Sequence, residues 1–542
     1  MVSNAPAIVL EGANGVGTVL DISQGEGFCF SLLRGEEVTL RNFRMVGNTG
    51  FEARDQAGLF YSLRAQGLWG FYLKPCQAVD IVGTERVLIE NCHANRMSAE
   101  CFVSGGPSRA SVSNDLPFSK QVTYLRCSVT DCARNAFNDW NCGPENTSIL
   151  NCRIENVAGC AWEGASRFAK FIGNYVRNAG TVAMGNLGPS NGGTSFGELG
   201  AGQHIVADNV FESLVPYGGC AIRSCFGSTE VIISHNLFIN FGSSAVEALG
   251  RCDTNHFVSA NTTITGNIFD MTCVTGKTTP RHAIEVSASN GIVSDNQIYV
   301  RGAPDSAVTG LRILEPASDL IIHDNLIRNC GWGIVSGRAQ SRVVSVIDPV
   351  SFTADLEALP LALHGSHLGS DWGVVWVNSL GPKTLSAIDS FDPETLHFKL
   401  RKPHPLQAGQ RFEIVSPAPN WSIHHNLVSD CLHPAILDSF GGDTCSFSEN
   451  EITRGSAAHV KAALEIHGMF RVDRNHICGF DEPGSAALSL FPDPLGRACR
   501  SLYWNNVFER CSIGIAESRK GLWRSSRSIG NLFPPGTPST HQ

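Results

Sequence analysis

The chain has little that would build helices. Apolar positions at helical spacing are nearly absent along its 542 residues, which excludes a helical fold. No apolar run reaches ~18 residues, so no transmembrane helix is expected. Charged residues make up only 17% of the chain, the net charge is -9, and no basic stripe occurs, so nucleic acid is not expected as a partner. No CxxC pair with a matching partner is present, which argues against a structural metal. Methionine and tyrosine are scarce, at 6 and 7, and this fits a turn-rich β protein beside 55 glycines.

What is present is a repeat. Asn174, Asn209, Asn236, Asn267, Asn296 and Asn325 each follow an aliphatic strand and precede a second apolar pair, as in NVF, NLF and NIF. The series resumes at Asn426, Asn450, Asn475, Asn506 and Asn531, and Cys92, Cys127 and Cys152 stand at the same point upstream. A period of roughly 25 residues marks a stacked repeat. Each unit carries three very short strands, with VIISHNLFINFGSSAVEALG (231–250) as the clearest example. Stacked asparagines, each both donor and acceptor, can bond one another from coil to coil at a buried bend. The cysteine count is 19, odd and spread over inward positions, so these read as core thiols and not as a disulfide framework.

With this repeat the chain resembles the right-handed parallel β-helix superfamily, the pectin-lyase-like fold, and its generic β-helix repeats, over roughly Val38 to Phe533. The fold class expected is therefore all-β. Coils are expected over 1–338 and 420–533, with 339–419 an inserted antiparallel barrel or sandwich and 534–542 a tail. Residues 51–82 are aromatic-rich and break the period. Long turns at 105–119, 186–201, 250–260 and 271–282 are where binding function tends to lie. The chain opens directly on strand-like sequence, so upstream residues are expected. The expected location is extracellular or periplasmic if a leader is missing, and otherwise cytoplasmic.

The third strand of each coil begins small–apolar, and its third residue should face outward. Stacked, that column reads Asn138, Glu163, Gly185, Arg223, Glu247, Glu285, Arg312, Val335, Leu437, Glu465 and Ser489, with neighbours ~4.8 Å apart. Two clusters follow. Asn138, Asp139 and Glu163 lie on adjacent coils, with Arg134 and Arg167 near in sequence. Arg223, Glu247, Glu285 and Arg312 follow in the order + − − +. Paired carboxylates ~5 Å apart suit a retaining glycosidase, and a wider gap, reached by skipping a coil, suits inversion. The bland alternative is a solvated face with an Arg/Glu ladder.

The resemblance implies that this face carries a substrate groove. The candidate catalytic residues are Glu247 and Glu285 or Asp139 and Glu163, with Arg223, Arg312, Asn138, Arg167 and Trp140 binding a poly- or oligosaccharide. Phe196 and Phe226 could add stacking faces. The function expected is a glycoside hydrolase without a cofactor. One alternative is a polysaccharide lyase with an arginine base (Arg223, Arg251 or Arg312) and a Ca2+ ion. The other is a non-catalytic glycan-binding β-helix. The signatures of polygalacturonases and alginate epimerases are absent. His235, His425 and Asp324, beside ladder asparagines, read as turn solvation.

Overall fold

The computed structural model describes residues 2–3, 7–13, 18–48, 76–105, 119–140, 145–157, 159–164, 166–179, 189–190, 202–212, 220–224, 228–241, 244–248, 260–272, 281–314, 317–337, 339–355, 373–377, 384–392, 395–415, 420–439, 444–455, 460–492, 501–519 and 521–533. The chain divides into two compact units, one of Met1–Glu247 with Gly266–Thr279 and one of Ala248–Thr265 with Pro280–Gln542.

Each unit is built from β-helix coils. In the first, three series of short strands repeat in the same order. One runs from Ile8–Glu11 through Arg86–Glu90 to Ile232–Ser234, a second from Thr18–Asp21 to Ile268–Asp270, and a third includes Phe102–Gly105, Phe137–Trp140 and Trp162–Gly164. Successive members of a series pair in parallel, residue for residue. Many of the strands alternate. Ile232 is 41% exposed while Ile233 is fully buried, so one face of each strand lines the core. β-Branched residues on the outer face favour the extended backbone without needing burial.

The second unit repeats this plan from Thr263–Thr265 to Arg527–Ile529. Leu320–His323 pairs directly with Trp421–His424, so the chain between them leaves the coil and returns. That chain forms a closed antiparallel barrel of six strands, Ala339–Asp348, Ser351–Ala354, Gly373–Val377, Leu385–Asp392, His397–Leu400 and Arg411–Val415. Its core holds Phe352, Trp376, Phe398 and Phe412, with Phe352 and Phe398 stacked at 5.1 Å.

The bend between the first and second strands is held by the asparagine ladder. In the first unit Asn209 Oδ1 accepts from the Asn174 backbone N–H at 2.8 Å and from Asn174 Nδ2 at 3.0 Å. Asn209 Nδ2 donates to Asn236 Oδ1 at 2.9 Å and to the Phe171 carbonyl at 2.8 Å. The pattern runs on to Asn267, and in the second unit from Asn296 through Asn325, Asn426, Asn450, Asn475 and Asn506 to Asn531. Cys127 and Cys152 occupy the same place with half the capacity. Cys152 Sγ donates to the Tyr124 carbonyl at 3.7 Å, and its N–H is capped by Asn174 Oδ1. The residue before each ladder asparagine takes a left-handed conformation, at Asp208, His235, Asp324 and His425 among others. This accounts for the polar residues and glycines there. The described cysteines are free thiols, nearly all buried. Among the described residues no helix is long and apolar enough to cross a membrane.

Candidate functional site

On the third-strand face of the first unit, Val103, Asn138 and Glu163 stand in one register column. Asp80 precedes them, paired with Val103. On Phe137–Trp140 and Trp162–Gly164 the third residue of the small–apolar pattern therefore stacks as expected. Gly185 lies outside the described residues, and Ser190 is the residue that pairs with Glu163.

Glu163 is held by two amides, Asn135 Nδ2 at 2.6 Å and Asn138 Nδ2 at 3.3 Å. Asn135 is itself fixed, since its Oδ1 accepts the Cys160 N–H at 2.8 Å. A second carboxylate, Glu100, sits in the bend before strand Phe102–Gly105. Arg134 Nη1 meets Glu100 Oε1 at 2.7 Å, and the two side chains keep 19% and 12% of their exposure. Gln77 Nε2 also reaches Glu100, at 3.4 Å. Burial, and then the charge of Glu100, push the Glu163 carboxyl above its ordinary range, while Arg134 and Asn135 work against that shift. Burial alone raises Asp80 to about 6. The face thus holds one carboxyl biased toward the protonated form beside another tied to an arginine.

Asp139 is not part of this pair. It lies one residue out of phase with Glu163, opposite Gly164, and so faces the core. It is 1% exposed. Ser104 Oγ, Ser166 Oγ and Trp162 Nε1 donate to it at 2.5, 2.7 and 3.0 Å. Burial raises it to about 6 although these donors lower it. Gly164 leaves room for the indole, because a Cβ there would stand 2.5 Å from Trp162 Cζ2. The arrangement is a satisfied internal polar cluster that anchors the coil. Arg167 belongs to a neighbouring bend, where its guanidinium lies over the Phe168 ring at 5.4 Å. The Trp140 side chain, Phe196, Phe226 and Arg251 lie outside the described residues, as do most of the four long turns.

The other cluster is divided between the two units. In the first, Arg223 Nε binds Glu247 Oε2 at 2.7 Å. In the second, Arg312 Nη1 binds Glu285 Oε2 at 2.9 Å and contacts His282 Nε2 at 3.1 Å. Burial, and then Arg312, lower His282 to about 3, so that imidazole is neutral at physiological pH. Each glutamate is thus matched to its own arginine. Farther along the second unit's face the column continues through Val335, Ile436, Glu465 and Ser489. Ile436 takes the place expected for Leu437, which is fully buried. Half-buried rings flank this column. Trp332 stacks on His433 at 4.0 Å, and His467 on Phe491 at 4.2 Å.

No family model matches the chain, and no curated protein gives a significant match. Solved structures do match. A mutant tailspike protein of E. coli bacteriophage HK620, in complex with a hexasaccharide, aligns with a TM-score of 0.43 at 10% identity, over 93% of this chain and 71% of its own. An alginate lyase from Paenibacillus sp. str. FPU-7 aligns with a TM-score of 0.29 at 12% identity, over 52% of this chain and 96% of its own. DFA-IIIase from Arthrobacter chlorophenolicus A6 aligns at 0.28 and 12%, over 59% and 78%. None of these likenesses assigns a reaction to this chain.

Proposed function

We propose that the protein is a carbohydrate-active β-helix enzyme, a glycoside hydrolase working through paired carboxylates on the third-strand face of its first unit. Glu163 is the general acid and Glu100 the general base. The observation that carries this reading is the asymmetry of the pair. Burial and the charge of Glu100 hold Glu163 toward its protonated form, while Glu100 is bound to Arg134 at 2.7 Å. A leaving glycosidic oxygen needs the first state and an attacking water the second.

The coil spacing favours inversion. Glu100 belongs to the coil of Phe102–Gly105, Glu163 to that of Trp162–Gly164, and one coil lies between them. Two strand spacings set the strands of these coils ~10 Å apart, against ~5 Å for adjacent coils, and inversion is the outcome this reading expects. Asn135 and Asn138 orient the acid, and Arg134 orients the base.

Two stacked ring pairs beside Glu465 support a second role for the other unit, as a face that grips saccharide without cleaving it. Glu247 and Glu285 then serve binding, with Arg223 and Arg312 contacting anionic groups. The test is a panel of plant, algal and bacterial polysaccharides, read for new reducing ends, for ultraviolet absorbance and, by proton NMR, for the first anomer released. The proposal expects reducing ends, no absorbance and an inverted anomer. Absorbance from an unsaturated uronate would replace hydrolysis with elimination, and retention of configuration would unseat the Glu100–Glu163 assignment.

A further inference from the structure

On the second-strand series of the second unit, two adjacent strands place three different ligand types together. His476 and Cys478 lie two residues apart on His476–Cys478 and so share a face. Glu509 stands directly opposite Cys478 on Val507–Glu509. One ligand atom from each, a ring nitrogen, the thiol sulfur and a carboxylate oxygen, all lie within 4.8 Å of one another. His476 Nε2 is already 3.2 Å from Glu509 Oε2. Ligands of a tetrahedral zinc ion, bound at about 2.0–2.3 Å, stand roughly 3.5 Å apart, so small rotamer changes close the gap.

We propose that His476, Cys478 and Glu509 form a zinc-type metal site that pins two successive coils, with a solvent molecule as the fourth ligand. The donor set selects the metal. A thiolate with an imidazole suits zinc, whereas calcium and magnesium require oxygen ligands throughout. Among the described residues these three are the only such group. Position helps as well. Side chains of His476 and Glu509 are 41% and 57% exposed, so an ion can enter, while Cys478 is nearly buried at the floor. One competitor is present. Arg510 Nη2 donates to Cys478 Sγ at 3.3 Å. A metal must displace this contact. The site is independent of the Glu100–Glu163 reading.

The test uses this whole chain, stripped of metal and titrated with cobalt(II) and then zinc(II). The expected result is one equivalent of cobalt giving a thiolate-to-cobalt charge-transfer band with the intense visible bands of a tetrahedral site, both displaced by zinc. Cys478→Ser abolishes the charge-transfer band. Glu509→Gln, an exposed change that leaves the fold intact, weakens zinc at least tenfold, and Arg510→Ala tightens it. Absence of the band in the wild type, or its persistence in Cys478→Ser, would overturn the proposal. So would equal zinc affinity in wild type and Glu509→Gln.

Discussion

Removing one ladder asparagine tests the physical basis of the coil stack. Asn209→Ala deletes four hydrogen bonds in the first unit, two received from Asn174 and one given to each of Phe171 and Asn236. Asn174 Nδ2 keeps its bond to the Ile149 carbonyl, and Asn236 Oδ1 still accepts the Asn209 N–H. The uncompensated group is therefore the Asn174 N–H, because the Phe171 carbonyl also lies in the parallel ladder with Val206 and Ala207 and keeps a backbone donor there. At about 1–3 kcal/mol for a buried orphan, the variant should lose ~1–3 kcal/mol locally. Asn209→Cys should lose less, by about 0.5–1 kcal/mol, because a thiol can restore the second hydrogen bond to the Phe171 carbonyl as Cys152 donates to that of Tyr124. Contacts in a solenoid run mainly between neighbouring coils, so a global melting point blurs the effect. Native-state hydrogen exchange at Asn174 and Asn209 resolves it. Equal protection in the alanine and cysteine variants, or a loss below about 1 kcal/mol in both, would refute the ladder as a stabilising device.

Three further outcomes follow. Asp139 has a folded pKa raised to about 6, so the native state binds more protons than the unfolded chain between pH 4 and 6. Stability therefore falls as pH rises through that window, by about 2–3 kcal/mol from this group. Denaturant melts of Asp139→Asn should show a shallower slope, with Asp80 and Glu163, which are shifted the same way, contributing to the remainder. In the barrel, Phe398→Ala removes a fully buried ring packed on Phe352, Phe391 and Phe412. It should cost roughly 3–5 kcal/mol, and limited proteolysis should then cut within 339–415 while the coils resist. Turnover should fall on the alkaline side as Glu163 loses its proton. Arg134→Gln removes a charge that lowers this pKa, so the alkaline limb of the pH–rate profile should move to higher pH.

The coil architecture was readable because its constraints are periodic. A buried bend that needs one side chain to donate and accept repeats that residue at each coil, and the spacing of Asn174, Asn209 and Asn236 displays it. The outward column was readable for the same reason, since strand parity is fixed once a small–apolar pair is aligned. It slipped by one at Leu437, where Ala435, Ile436 and Leu437 are all apolar and parity leaves no mark. Asp139 has the right chemistry on the wrong face, one residue from Asn138. Glu100 was missed because it sits in a bend, outside any strand alternation. Its partner Arg134 lies on another coil, 34 positions along the chain. Only the fold brings such groups together. Residue types alone did mark Glu163 and Asn138, and the structure joins these two at 3.3 Å.

The assignment of Glu163 and Glu100 as an acid–base pair acting on a glycan rests on their unequal surroundings. Its most direct test is the rate of reducing-end release by wild type, Glu163→Gln, Glu100→Gln, Glu247→Gln and Glu285→Gln, with circular dichroism confirming that each is folded. Loss of either member of a general acid–base pair should reduce turnover by about 10²–10⁴-fold. Such losses are expected in the first two variants, and only a modest rise in KM in the last two. Full activity in Glu163→Gln, with activity abolished in Glu247→Gln or Glu285→Gln, would contradict it.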